Sequence, residues 1–193
     1  IEIVKILLKR KDLQVNLAKD DGATALYAAS QNGHLEVVRL LLSKSEIDIN
    51  KARDDGATAL HIASQFGHGE VVRLLLSKSE IDINKAMKDG ATALHIASLT
   101  NHVKMAELLL SKSDIDINRA EDNGFTALWI ASNDGHVEVV RLLLSKSDIN
   151  INKAKDNGAT ALHIASWQGH AEVVRLLLSK SEIDINKAMK DGA

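Results

Sequence analysis

The chain of 193 residues is 45% hydrophobic, enough to fill a packed interior and too much for a disordered polymer. Its 24 basic and 26 acidic side chains leave a net charge of -2, so no basic excess is present to neutralise a nucleic-acid backbone or an anionic membrane. The absence of cysteine excludes disulfides and thiolate zinc sites, and no apolar run approaches the roughly 20 residues that a membrane helix needs.

In chain order, the opening stretch IEIVKILLKRKDLQVNLA (residues 1–18) carries a helical apolar pattern and then an extended one, without the layout of a signal peptide. With the missing cysteines, this suggests the cytoplasm. Beyond it Gly22, Gly56, Gly90, Gly124, Gly158 and Gly192 recur at a spacing of 34 residues. Residues 1–21 therefore read as a partial unit. Full units follow at 22–55, 56–89, 90–123, 124–157 and 158–191, and residues 192–193 begin another.

The unit at 56–89 shows what each copy must form. Thr58 is placed to cap a helix over ALHIASQF by accepting from an amide that the first turn leaves free, and Gly67 ends it. Asn101 stands where the other copies have that glycine. A second helix, HGEVVRLLLSK, carries Val71, Val72, Leu74, Leu75 and Leu76 as a broad apolar face, with Lys78 near its carboxyl end. SEIDINKAMKDG alternates Ile81 and Ile83 with polar residues and closes on Asp89 and Gly90, which predicts a hairpin-like link. Two short helices cannot bury this much leucine and valine alone, so the units must stack into an all-α solenoid with a shared core. A tetratricopeptide array also repeats at 34 residues, but it joins its helices by short turns rather than by a link of this length.

The string DGATALHIASQFGHGEVVRLLLSKSEIDIN (55–84) resembles the ankyrin repeat, with its Gly-x-Thr-Pro-Leu-His, Gly-His and Val-Val-x-Leu-Leu-Leu motifs, and the resemblance extends along the whole chain. Two departures are systematic. Alanine replaces the family's proline in every copy (Ala25, Ala59, Ala93, Ala127 and Ala161), and SKSEI is one residue longer than the usual link. The resemblance implies a protein-binding module without catalytic activity or cofactor, whose first-helix ends and hairpin tips line a concave face. It also implies that the repeated histidines hydrogen-bond between units. Solenoids normally close with polar caps, and neither end of this chain has one, so association through the uncapped ends is a further expectation.

Differences among copies point to the surface that meets a partner. The units at 56–89 and 158–191 differ only at Gln65 against Trp167, Phe66 against Gln168, and Gly69 against Ala171. All the aromatic residues, Tyr27, Phe66, Phe125, Trp129 and Trp167, fall in the zone that the resemblance assigns to the concave face, which would leave the core free of them. Aromatic side chains offer wide contact area with few rotors and so serve as interface anchors. The hairpin tips also vary, with Arg53, Met87, Glu121 and Lys155 at one equivalent position. The candidate partner-binding set is therefore Tyr27, Arg53, Phe66, Met87, Glu121, Phe125, Trp129 and Trp167, for a protein or peptide partner rather than nucleic acid or membrane. Two other roles fit an array of this kind: a spacer or spring within a longer solenoid, or the substrate-recruiting part of a larger effector or enzyme.

Other residue patterns have structural explanations. Glu36 and Arg39, Glu70 and Arg73, Glu138 and Arg141, Glu172 and Arg175, and Glu2 and Lys5 are spaced to pair on a helix surface; Lys104 and Glu107 keep the pairing with the signs reversed. The eight histidines sit at repeat positions, without the cysteine or carboxylate spacing of a metal site. The Asp48/Asn50 pair and its copies suit turn hydrogen bonding better than calcium, because the glycine-rich nonapeptide of calcium-binding β-helices is missing. No nucleophile or phosphate-loop motif is present.

Overall fold

The structure, a computed structural model, describes Glu2, Ile6, Arg10 and residues 13–187. Ten helices occur among the described residues: α1 (Ala25–Gln31), α2 (Leu35–Leu41), α3 (Ala59–Gln65), α4 (Gly69–Leu75), α5 (Ala93–Leu99), α6 (Val103–Leu110), α7 (Ala127–Asn133), α8 (Val137–Leu144), α9 (Ala161–Gln168) and α10 (Ala171–Leu178). Each odd-numbered helix packs on its even-numbered partner and on the odd-numbered helices of adjacent units. The even-numbered helices form a second layer in the same way. The result is an all-α solenoid of stacked helix pairs.

Local chemistry accounts for the helix bounds. Thr24, Thr58, Thr92, Thr126 and Thr160 are the N-caps of the odd-numbered helices, each in extended conformation. Thr24 and Thr126 accept from the amides of Tyr27 and Trp129, at 3.1 Å each. Three copies add a reciprocal bond. The Thr58 amide donates to His61 Nδ1 at 3.2 Å, and His95 and His163 repeat the arrangement with Thr92 and Thr160. At the far end of α3, Gly67 takes φ 72°. Asn101 takes φ 55° after α5, a conformation that asparagine tolerates better than other side chains.

A single apolar cluster runs through all the units. Leu26, Leu60, Leu94 and Leu128 enter it from the odd-numbered helices, and Leu75, Leu109, Leu143 and Leu177 from the even-numbered ones. All are at most 2% exposed. Burying one such side chain stabilises by about 1.5–3 kcal/mol, and the cluster that buries them is continuous from unit to unit, so neighbouring units stabilise one another. The aromatic-free core expected from the sequence needs correction: Tyr27 is 4% exposed and packs with Ala23, Ala57, Ile62 and Met87 in a smaller cluster under the hairpin tips.

The links contain turns and two isolated antiparallel bridges, Ala18 with Thr24 and Ala120 with Thr126, but no strand among the described residues. The tips are hairpin-like nonetheless: Arg53 donates to Ala57 O at 2.8 Å and Gly56 to Arg53 O at 2.9 Å, with equivalents in the other units. Polar ladders join unit to unit. Asn84 Nδ2 donates to Asp114 O at 2.6 Å, while its Oδ1 accepts from the Asp116 amide at 2.7 Å. Asn16, Asn50, Asn118 and Asn152 repeat both bonds. Asp82 makes the turn bond expected of it, to the Asn84 amide. The asparagines do more than turn chemistry, since each clamps the following link.

His68, His102, His136 and His170 direct Nε2 at carbonyls of the preceding unit, at 2.9–3.2 Å. The outer surface carries the ion pairs Glu36–Arg39, Glu70–Arg73, Lys104–Glu107, Glu138–Arg141 and Glu172–Arg175. Lys5, the partner expected for Glu2, lies outside the described residues, as do Gly192 and Ala193.

Candidate functional site

The hairpin tips and the ends of the odd-numbered helices enclose a groove of about 450 Å³ that crosses several units. Its apolar lining is built by repetition: Ile62 on α3, Ile96 on α5 and Ile130 on α7 stand at equivalent positions and face the same trough. Phe66 and Leu99 rise from the helix ends at its border, 51% and 58% exposed. The tips supply the other wall, with Arg53, Asp55, Met87, Asp89 and Glu121.

At one end of the groove Arg53 pairs with Asp55 and places its guanidinium 5.5 Å from the centre of the Tyr27 ring. Burial opposes ionisation of Asp55, but bonds from Arg53 and from the Ala57 amide outweigh it and hold the carboxyl below its usual range. Burial raises the Tyr27 pKa. Tyr27 is therefore enclosed by its neighbours, contrary to the expectation that it projects toward a partner. The physical reason is its position: it occupies the place of His61 and His95 in the first turn of the helix, a site that the next unit covers.

Outside the lining of this groove, Phe125 and Trp129 lie with ring centroids 4.3 Å apart and tilted by 36°, and Lys155 Nζ sits 4.4 Å and 5.5 Å from those centroids. Both rings are half-buried. Trp129 also replaces a histidine that works between units. His95 takes the Thr92 amide at Nδ1, which leaves Nε2–H to donate to Phe125 O at 3.1 Å. The Trp129 indole nitrogen is buried without a partner. The tips are otherwise tied by Asp54 N to Asp21 O, Lys88 N to Asp55 O and Asp122 N to Asp89 O. No equivalent bond joins residues 156 and 123 among the described residues. The aromatic pair and Lys155 thus take the place of two polar ties at this junction.

Between Arg53 and Lys155, Asp89, Glu121 and Asp122 make the tips acidic. Burial pushes the Glu121 carboxyl up; a bond from Asn123 opposes it, and the neighbouring Asp89 and Asp122 charges add smaller upward pushes. Met87 is half-buried against the Tyr27 cluster. Trp167 is 83% exposed and lies apart from Phe66, lining a second concavity of about 660 Å³ with Trp129, Lys155, Leu162, Ile164 and Ile185. The aromatics therefore do not form one stripe. Phe66, Met87, Glu121 and Arg53 share the first groove, while Trp129 and Trp167 share the second.

His61 and His95, 2% and 3% exposed, are held neutral by burial; His61 is lowered to about 4 despite nearby carbonyls of Ala91 and Lys85. Among the described residues no group of histidines and carboxylates has the arrangement of a metal site, and no helix is long and apolar enough to cross a membrane. Leu99 and Asp89 were not picked out from the sequence. A signal for Leu99 existed, since the equivalent residues are Gln31, Gln65, Asn133 and Trp167, and an aliphatic side chain at a solvent-facing helix end is out of pattern.

A family model described as ankyrin repeats, in three copies, matches residues 1–53, 46–121 and 113–189. A search of curated proteins found no match to the chain.

Proposed function

Since the chain belongs to the ankyrin repeat family, whose repeats serve generally as protein–protein interaction modules, we propose that it binds a protein or peptide partner in the concave groove between the hairpin tips and the odd-numbered helices. The observation that carries this reading is the exposure of Phe66 and Leu99, 51% and 58%, both lining a groove with an isoleucine floor. Large apolar side chains held out of a complete core cost solubility, and they are repaid when a partner covers them. Met87 and Glu121 on the facing tips contribute the opposite wall. A spacer within a longer array needs none of these exposed side chains, and recruitment of a substrate to a larger enzyme would use the same groove.

Affinity capture with the chain, beside a variant carrying Phe66→Ala and Leu99→Ala, tests the reading. Both side chains are more than half exposed, so the variant keeps its helical circular dichroism. A partner held by the parent and lost from the variant supports the groove; equal capture by both refutes it.

A further inference from the structure

The charges along the groove are not evenly satisfied. Arg53 is engaged by Asp55 at one end, and Lys155, which lines the second concavity instead, lies over Phe125 and Trp129. Between them Asp89, Glu121 and Asp122 come together from two adjacent tips, fastened by the bond from Asp122 N to Asp89 O at 2.9 Å. None of the three carboxylates makes an ion pair among the described residues, nor does Lys88 on the same tip. Glu121, whose carboxyl is raised chiefly by its partial withdrawal from water, also feels the Asp89 and Asp122 charges. Asp89 and Glu121 face the same trough as Phe66 and Leu99. An acidic wall across a groove from an apolar border is complementary to one kind of chain.

Resting on the groove reading above, we infer that the occupant is an extended peptide bearing an arginine or lysine beside a large apolar side chain. The cation lies between Asp89 and Glu121, and the apolar group lies across Phe66 and Leu99. Such a cation relieves the like-charge crowding and gains charge-assisted hydrogen bonds, while an acidic peptide meets repulsion at the same place. The trough is open along several units, which suits an extended backbone rather than a compact small molecule.

Selection of a random-peptide phage library on the immobilised chain tests this, followed by titration of the enriched peptides against three proteins: the parent, Asp89→Asn with Glu121→Gln, and Phe66→Ala with Leu99→Ala. The charge-neutral variant is structurally mild. Asp89 Oδ1 accepts from the Ala91 amide, and Asn157 makes the same bond to Ala159 in the fifth full unit of this chain. The expected result is enrichment of sequences with arginine or lysine next to leucine or an aromatic residue. Their affinity should fall about tenfold in the charge-neutral variant, and on raising salt. Enriched peptides that are acidic, or that bind the charge-neutral variant as well as the parent while losing the apolar variant, overturn the cation site and leave the groove standing. Enrichment no greater on the parent than on the apolar variant overturns the groove reading itself.

Discussion

Replacing Asn84 with alanine removes two bonds that cross from one unit to the next. Its amide donates to Asp114 O at 2.6 Å, and its carbonyl accepts from the Asp116 amide at 2.7 Å. Both bonds lie near solvent, so water takes up the freed groups and the loss is the net value of each bond, about 0.5–1.5 kcal/mol. The sum is about 1–3 kcal/mol for the pair, placed at a central junction where neighbouring units stabilise each other. Urea denaturation followed by circular dichroism should show a lower midpoint with an unchanged slope, or two transitions if the junction is weakened enough to uncouple the units. Asn84→Asp separates the halves, because it keeps an acceptor for Asp116 and loses the donor to Asp114. A stability of Asn84→Ala within about 0.5 kcal/mol of the parent would refute the view that the asparagine ladder holds the links in register.

Other perturbations report on other features. Ser98 is fully buried with its hydroxyl unpartnered, as are Ser30, Ser64 and Ser132, so Ser98→Ala should raise stability by about 0.5–1 kcal/mol in thermal or urea melts; a loss would mean that the hydroxyl is bonded. His61 is lowered by burial from 6.5 to about 4, with Asp55 and Asp89 pulling weakly the other way. The unfolded chain therefore takes up its proton first. The stability that neutral His61 contributes is present above pH 6.5 and is lost as pH falls toward 4, on the order of 3 kcal/mol. His61→Gln should flatten the stability profile in that window, and an unchanged profile contradicts the assignment. Gly56 has φ 89° and a Cβ there would meet Lys88 N and Met87 Cα at 2.7 Å, whereas Gly169, at φ 78°, has nothing within 4 Å. Both alanine variants should lose about 1–2 kcal/mol to the left-handed backbone, with Gly56→Ala losing more; equal losses would show that the close approach of the tips yields freely.

The repeat was legible because its evidence is periodic. Glycine spacing and threonine caps recur in every full unit, and the Val-Val-x-Leu-Leu-Leu stripe in all but the unit at 90–123, which has Met105 and Ala106 for the valines; each acts within a few residues of itself. The helix-ending role of Asn101 and the surface ion pairs followed for the same reason, since both depend on local backbone or on residues three apart. The asparagine ladder was only half visible. Asp82 bonding the Asn84 amide is a local turn, but the reach of Asn84 to Asp114 and Asp116 spans some thirty residues.

What the sequence determined by itself was the kind of unit, its length and the necessity of stacking, because apolar area that a unit cannot bury alone dictates a neighbour. Which variable side chains meet was decided by the tertiary structure, through the stagger of one unit on the next. That stagger encloses Tyr27 beneath Arg53, brings Leu99 and Phe66 into the lining of one groove, and places Trp167 on another. It also seats Lys155 over Phe125 and Trp129 where other copies tie unit to unit through polar bonds. Residues at equivalent places in the repeat differ in exposure because each is covered by a different neighbour, and the identity of that neighbour is a property of the stack.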